Sequence, residues 1–100
     1  MEEIPGFLKK LKEKDPDYAE NILDMMSKNH EDTALSAKNK LLIAMALDAA
    51  HGDINGVKML SGQARNKGAT EQEILETAEV VGTTCGIQGL YIALKGLKEK

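Results

Sequence analysis

The chain has 100 residues, the length of a single domain. It carries 13 lysines and arginines against 16 aspartates and glutamates, a net charge of -3. No excess of positive charge therefore favours nucleic acid or an anionic membrane as a partner. The lysine-rich runs at 9–14 and 95–100 also contain glutamates and are interpreted as solvated helix faces. With no Trp, two Tyr and one Phe, the chain also lacks the aromatics of a base-stacking surface.

Cysteine content and the N-terminus bear on the compartment. A lone cysteine, Cys85, excludes an internal disulfide and suits the reducing cytosol. The sequence MEEIPGF is acidic and lacks the apolar stretch of a secretory signal. The longest apolar run is far shorter than the roughly 20 residues that span a bilayer. These features predict a soluble cytoplasmic protein.

The hydrophobic spacing predicts helices along the whole chain and no strand. The first helix has an apolar face made of Ile4, Phe7, Leu8 and Leu11. Asp15 and Pro16 begin the second helix as N-cap and first-turn residue. Its apolar stripe consists of Tyr18, Ile22, Met25 and Met26. Residues 28–36 form a polar connection, and Ser36 is placed to cap the next helix.

The third predicted helix, at about residues 37–51, is apolar on nearly all sides from Leu41 to Ala50. A helix that is apolar all round must be covered all round, which one small domain can hardly do alone. This pattern predicts a subunit interface and therefore a homo-oligomer. Gly52 fits the end of this helix, and Asp53 fits the N-cap of the fourth.

The fourth helix is expected to run to about Lys67, with an inward face of Ile54, Val57, Leu60 and Ala64. In KGATEQE, residues 67–73, Gly68 ends that helix, and Thr70 and Glu73 form a capping box for the fifth. The fifth helix is expected to bury Ile74, Leu75, Ala78 and Val81.

The stretch GTTCG, residues 82–86, is expected to interrupt the fifth helix. The last helix shows apolar residues at helical spacing: Ile87, Leu90, Tyr91, Leu94 and Leu97.

The segment AKNKLLIAMALDAAHG, followed after about one helix by GATEQEILE, resembles the carboxymuconolactone decarboxylase family, which includes the alkyl-hydroperoxidase D-like proteins. The resemblance covers roughly residues 33–97 and is most specific at residues 67–82. It implies an all-α fold of about six helices built on an antiparallel helix pair. It also implies homo-oligomers, commonly trimers or hexamers.

The peroxidase branch of that family carries a Glu, a C-x-x-C pair and a His four residues after the second Cys. The first Cys begins a helix, where exposed backbone N–H groups favour a thiolate. Registered on GAT, these four functions fall in order on Leu41, Asp53, Gly56 and Leu60. None of the four residue types is retained, so the thiol exchange and proton relay of that branch are not expected here. The decarboxylase branch relies on a His near the same helix, and Leu60 does not supply one.

Four side chains, one of them at a position just named, are candidates for catalysis. Cys85 is interpreted either as a lone redox thiol near a helix start or as a small buried residue that lets helices approach. His51 and Asp53 are either an acid–base pair or helix caps. Asp48, inside the apolar helix, is either a proton-transfer group with a raised pKa or a surface carboxylate paired with a Lys or Arg.

Other polar features carry less chemistry. The cluster HED, residues 30–32, is interpreted as a loop at a helix end. Gly82, Gly86 and Gly89 match no phosphate-loop motif and are expected to mark close packing. No metal site or cofactor is expected, because no set of ligands has a fitting spacing.

Two functions follow from the sequence. In the first, the protein has no thiol peroxidase activity at the family site and acts as an oligomeric scaffold or small-molecule-binding protein, with a pocket near the junction of the third and fourth helices. In the second, it is an enzyme with rearranged chemistry. That enzyme would use Cys85 as a peroxidatic thiol, or Asp48, His51 and Asp53 for proton transfer on a lactone or carboxylate substrate.

Overall fold

A computed structural model describes residues 5–97 and folds them into six α-helices, with no strand in that range. The helices are α1 (Gly6–Lys14), α2 (Pro16–Ser27), α3 (Ala37–Ala50), α4 (Ile54–Asn66), α5 (Glu71–Cys85) and α6 (Ile87–Gly96), with a 3-10 turn at Lys28–His30. The all-α fold predicted from the sequence is confirmed. Ile4, expected on the apolar face of α1, lies outside the described residues.

Four helices begin with the side-chain caps that the sequence predicts. A side-chain oxygen of the cap residue accepts a hydrogen bond from a backbone N–H three residues on: Asp15 from Tyr18 (3.2 Å), Ser36 from Asn39 (3.1 Å), Asp53 from Gly56 (2.9 Å) and Thr70 from Glu73 (3.0 Å). At Thr70 the box is complete, because Glu73 accepts from the Thr70 N–H at 2.9 Å. That bond, together with Lys38, lowers the pKa of Glu73. Each cap is worth about 1 kcal/mol, so the helix starts are set locally.

The core is centred on α3, which packs against α4, α5 and α6. A three-residue connection joins α3 and α4 into a helical hairpin, as the resemblance implies. The core side chains come from all four of these helices and include Leu41, Met45, Ala49, Val57, Ala64, Ile74, Ala78, Val81, Ile92 and Ala93.

The helices α1 and α2 form another hairpin, the first along the chain, beside this core, and α3 and α4 form the second. Leu8 and Ala19 are the buried residues of the first hairpin. Lys40 of α3 secures the connection from α2, because its Nζ donates to the carbonyl oxygens of Lys28 (3.2 Å) and Glu31 (3.0 Å) and to the hydroxyl of Thr33 (2.8 Å). The first hairpin is thereby attached to the second.

Two details of the fifth helix differ from expectation. Leu75 is 37% exposed and does not belong to the core, because the inward face of α5 is already filled by Ile74, Ala78 and Val81. The stretch 82–85 stays helical, and only Gly86 ends α5, with a φ of 106° that favours glycine.

Candidate functional site

The candidate site is built around the C-terminal turn of α3. The N–H of Gly52 donates to the carbonyl of Ala49 at 3.1 Å, and the N–H of Asp53 donates to the carbonyl of Asp48 at 2.9 Å. Gly52 has a φ of 84°. These two bonds with a left-handed glycine constitute a Schellman motif. The motif folds the chain back so that Asp53 returns beside Asp48.

The carboxylates of Asp48 and Asp53 converge on one point, the space above the Cα of Gly56. A Cβ atom built on Gly56 would lie 2.7 Å from Oδ2 of Asp53 and 2.8 Å from Cγ of Asp48. Position 56 therefore has no room for a side chain while both carboxylates keep their places. In a Schellman motif the positions that Asp48 and Asp53 occupy usually hold two apolar residues in contact. This chain has two acids at those positions.

The environment of Asp48 raises the pKa of its carboxyl group. Burial is the largest cause, the negative charge of Asp53 adds to it, and His51 partly opposes both. Asp48 also lies in the last turn of α3, where the helix dipole disfavours negative charge. Within residues 5–97 Asp48 forms no ion pair with a Lys or Arg, so the interpretation as a paired surface carboxylate is not realised in the single chain.

Both carboxylates line a pocket of about 510 Å³ between the two hairpins. Its walls are formed by Pro5, Gly6, Phe7, Met26, Asn29, Ala44, Asp48, Asp53, Asn55, Gly56, Met59 and Leu60. The volume is within the range of small-molecule sites. Most of the wall is apolar, and its polar residues are the two acids, Asn29 and Asn55. The pocket lies at the junction where the sequence places one.

The four positions of the family's peroxidase site are distributed unevenly. Asp53, Gly56 and Leu60 line the pocket. Leu41 is fully buried in the core. Three of the four positions therefore lie in the pocket wall, and the resemblance implies that one of the two acids, Asp53, stands where the first cysteine would be.

The structure does not bring His51 or Cys85 into the pocket wall. His51 is exposed and ends α3, with its Nδ1 2.8 Å from the carbonyl oxygen of Leu47. Cys85 is exposed as the last residue of α5. The interpretation of Cys85 as a small buried packing residue is therefore wrong.

The remaining polar features have structural roles. Asp32 belongs to the loop before α3 and accepts a hydrogen bond from the N–H of Ala37 at 2.7 Å. Gly82 and Gly89 mark close packing as expected, because added Cβ atoms would lie 3.0 Å from Leu90 and 2.7 Å from Val81. Gly86 has no such neighbour and is required by its positive φ instead. Among residues 5–97 no three His, Cys, Asp or Glu side chains are grouped to hold a metal ion.

Two features of the structure, one in the pocket wall and one elsewhere in α4, were not predicted from the sequence. The wall contributed by Phe7 and Met26 arises only because the first hairpin packs beside the second. Gln63 of α4 is 4% exposed, and its buried Nε2 makes no hydrogen bond within the described part of the chain. The sequence offers one signal for the carboxylate pair: Asp48 and Asp53 flank Gly52 at the spacing of a Schellman motif.

A comparison with protein-family models matches residues 16–99 to the carboxymuconolactone decarboxylase family. Searches of curated proteins and of solved structures found no significant match. No helix within residues 5–97 has the length and hydropathy needed to cross a membrane.

Proposed function

Because the chain belongs to the carboxymuconolactone decarboxylase family, we propose that it is a small-molecule-binding member whose ligand occupies the pocket at the α3–α4 junction. The observation that carries this proposal is the pocket itself. It lies at the α3–α4 junction, it has the size and apolar walls of a ligand site, and two acids converge in it over Gly56.

We propose further that this site does not reduce peroxides through a thiol. The positions of the two family cysteines hold Asp53 and Gly56, and the space above Gly56 is taken by carboxylates. A carboxylate at a helix N-terminus satisfies the N–H of Gly56 at 2.9 Å, but it cannot form the disulfide of the two-cysteine peroxidase branch.

The protein is proposed to act as a homo-oligomer. On α3, Ile43 and Leu47 remain 48% and 55% exposed in the single chain. They line an apolar groove of about 410 Å³ with Leu35, Asn39, Leu42, Ala46, Thr77 and Val80. An apolar strip of this kind on a central helix is typical of a surface that a second subunit covers.

A second candidate function is acid–base catalysis, and one observation favours it. Asp48 and Asp53 lie together in one pocket, and burial raises the pKa of Asp48. Two neighbouring carboxyl groups with separated pKa values can act as a general acid and a general base. The lining includes no Lys, Arg or His among the described residues, so a lactone substrate fits this chemistry better than a carboxylate does.

The alternative that uses Cys85 stands apart from the pocket. The Cys85 thiol is exposed, and Cys85 is not among the residues that line the pocket. Incubation of the pure protein with a hydroperoxide and a thiol donor tests it. Enzyme-like peroxide consumption that a Cys85→Ser variant loses would overturn the binding proposal in favour of a redox enzyme.

The binding proposal is tested by two-dimensional NMR of the amide groups during titration with a chemically diverse fragment set. Binders are expected to shift the amides of Asp53, Gly56 and Leu60 together. The matched control observes Gly62, which is on the same helix with open space above its Cα and is outside the pocket wall. A set without any binder at these amides would contradict the proposal.

A further inference from the structure

The charges of the pocket are of one sign. Its ionisable wall residues are Asp48 and Asp53, and among the described residues no Lys, Arg or His side chain lines it. The acids also have few partners of their own. Oδ1 of Asp53 accepts the N–H of Gly56 at 2.9 Å, while Oδ2 of Asp53 and the carboxylate of Asp48 face each other across the Cα of Gly56.

Such an arrangement is costly when the pocket is empty. Two carboxylates near one point repel each other, and the partial burial of Asp48 increases the repulsion. A group that brings positive charge and several N–H donors would relieve both effects. A carboxylate-bearing ligand would add a third negative charge and find no cation in the described wall.

The remaining wall residues favour a ligand whose uncharged part is apolar. Phe7, Met26, Ala44, Met59 and Leu60 present apolar side chains to the same space. The methionines adapt to different shapes, and the ring of Phe7 can also contact a cation favourably. Asn55 also lines the pocket.

We propose that the pocket binds an organic cation, namely a protonated primary amine with an apolar body, whose ammonium group lies between Asp48 and Asp53. This inference rests on the proposed function, because it names the class of ligand for that same pocket. It also separates this chain from the carboxylate substrates that the name of its family implies.

The test compares three probes of one shape: phenylbutylamine, phenylbutanol and phenylbutyrate, each titrated at pH 7 and followed by amide NMR and calorimetry. The amine is expected to bind at least about tenfold more tightly than the alcohol, because its hydrogen bonds to carboxylates are charge-assisted. The butyrate is expected to bind more weakly than the alcohol.

Three variants locate the effect. Asp48→Asn and Asp53→Asn keep the size of the side chain, and Asn is as good an N-cap as Asp at position 53. Each is expected to lose most of the preference for the amine over the alcohol. Asp24→Asn, an exposed residue of α2 outside the pocket wall, removes the same charge and is expected to keep the preference.

The outcomes separate the two proposals. Equal binding of the amine and the alcohol, or tighter binding of the butyrate, with shifts at Gly56 would overturn the cation inference and leave the pocket as a ligand site. Asp24→Asn could also reduce the preference for the amine as much as Asp48→Asn does. That result would overturn the cation inference, because the preference would then depend on net charge alone. If neither these probes nor the fragment set shifts the amide of Gly56, both proposals fail.

Discussion

Asp53 donates its backbone N–H to the carbonyl of Asp48 at 2.9 Å, and the carboxylates of the same two residues converge over Gly56. One backbone turn therefore brings the two acids together in the wall of one pocket. The free energy that this turn contributes through its hydrogen bonds opposes the repulsion between the two charges. The consequences can be measured in the free protein, without knowledge of the ligand.

The first prediction concerns two glycines of α4. Gly56→Ala is expected to destabilise the fold by up to about 1 kcal/mol, because the new methyl group displaces both carboxylates and disturbs the cap that Asp53 forms with the N–H at position 56. Gly62→Ala is the matched control, since nothing lies within 4 Å of the added Cβ, and it is expected to stabilise α4 by up to about 1 kcal/mol. Urea denaturation measures both. Equal effects of the two substitutions would contradict the close approach of the acids to Gly56.

The second prediction concerns the pH dependence of stability in Asp48→Asn. The pKa of Asp48 is raised in the folded state above its usual 3.8, so ionisation of this group costs stability. The cost is absent below pH 3.8, increases as the pH rises through the interval up to the raised pKa, and is constant above it. Asp48→Asn is therefore expected to be more stable than the parent protein at pH 7, by less than about 1 kcal/mol because solvent screens the site.

That difference should shrink as the pH is lowered towards 3.8, as followed by urea denaturation at several pH values. Asp24→Asn, which removes a charge from the exposed side of α2, provides the comparison. A stability difference for Asp48→Asn that grows on acidification would show that the carboxylate is stabilised in the fold.

The third prediction concerns Gln63, whose buried Nε2 has no hydrogen-bond partner within residues 5–97. Gln63→Met keeps most of the volume and removes the unpaired donor, and it is expected to stabilise the protein by about 1 kcal/mol. Thermal unfolding measures the change. Gln72→Met on the exposed start of α5, where the amide donates to Glu76 at 2.8 Å, should give no such gain. Loss of stability in Gln63→Met would mean that the amide has a partner in solution.

The fourth prediction concerns the apolar groove on α3 and α5. Leu47→Glu places a charge in the middle of this surface and is expected to lower the molar mass in light scattering, because burying an unpaired charge in an interface is costly. Leu94→Glu is the control, since Leu94 is 49% exposed on α6 and outside the groove. An unchanged mass in Leu47→Glu, or a parent protein that is monomeric, would contradict the proposed interface.

Helix starts were predictable because the interactions that set them are local. The caps at Asp15, Ser36, Asp53 and Thr70 each join a side chain to a backbone group three residues away, so the sequence contains both partners. The complete box at Thr70 and Glu73 was the clearest example. The end of α3 was predictable from Gly52 for the same reason, because the turn at this glycine also forms from nearby residues.

Burial along α5 was less predictable. Leu75 and Ile74 are neighbours of similar hydrophobicity, but α3 and α6 cover only the face that contains Ile74. The sequence also suggested a helix break across residues 82–86, whereas α5 continues to Cys85, with Gly82 packed close to Leu90 of α6. Both the burial of Leu75 and the end of α5 therefore depend on contacts with neighbouring helices.

The sequence by itself determined the all-α class and the starts of four helices, because hydrophobic spacing and caps are properties of the chain. Only the tertiary structure decided that Asp48 joins Asp53 over Gly56 and that the first hairpin closes a pocket around them. These contacts depend on how two hairpins pack, and packing is set by the shapes of many side chains at once.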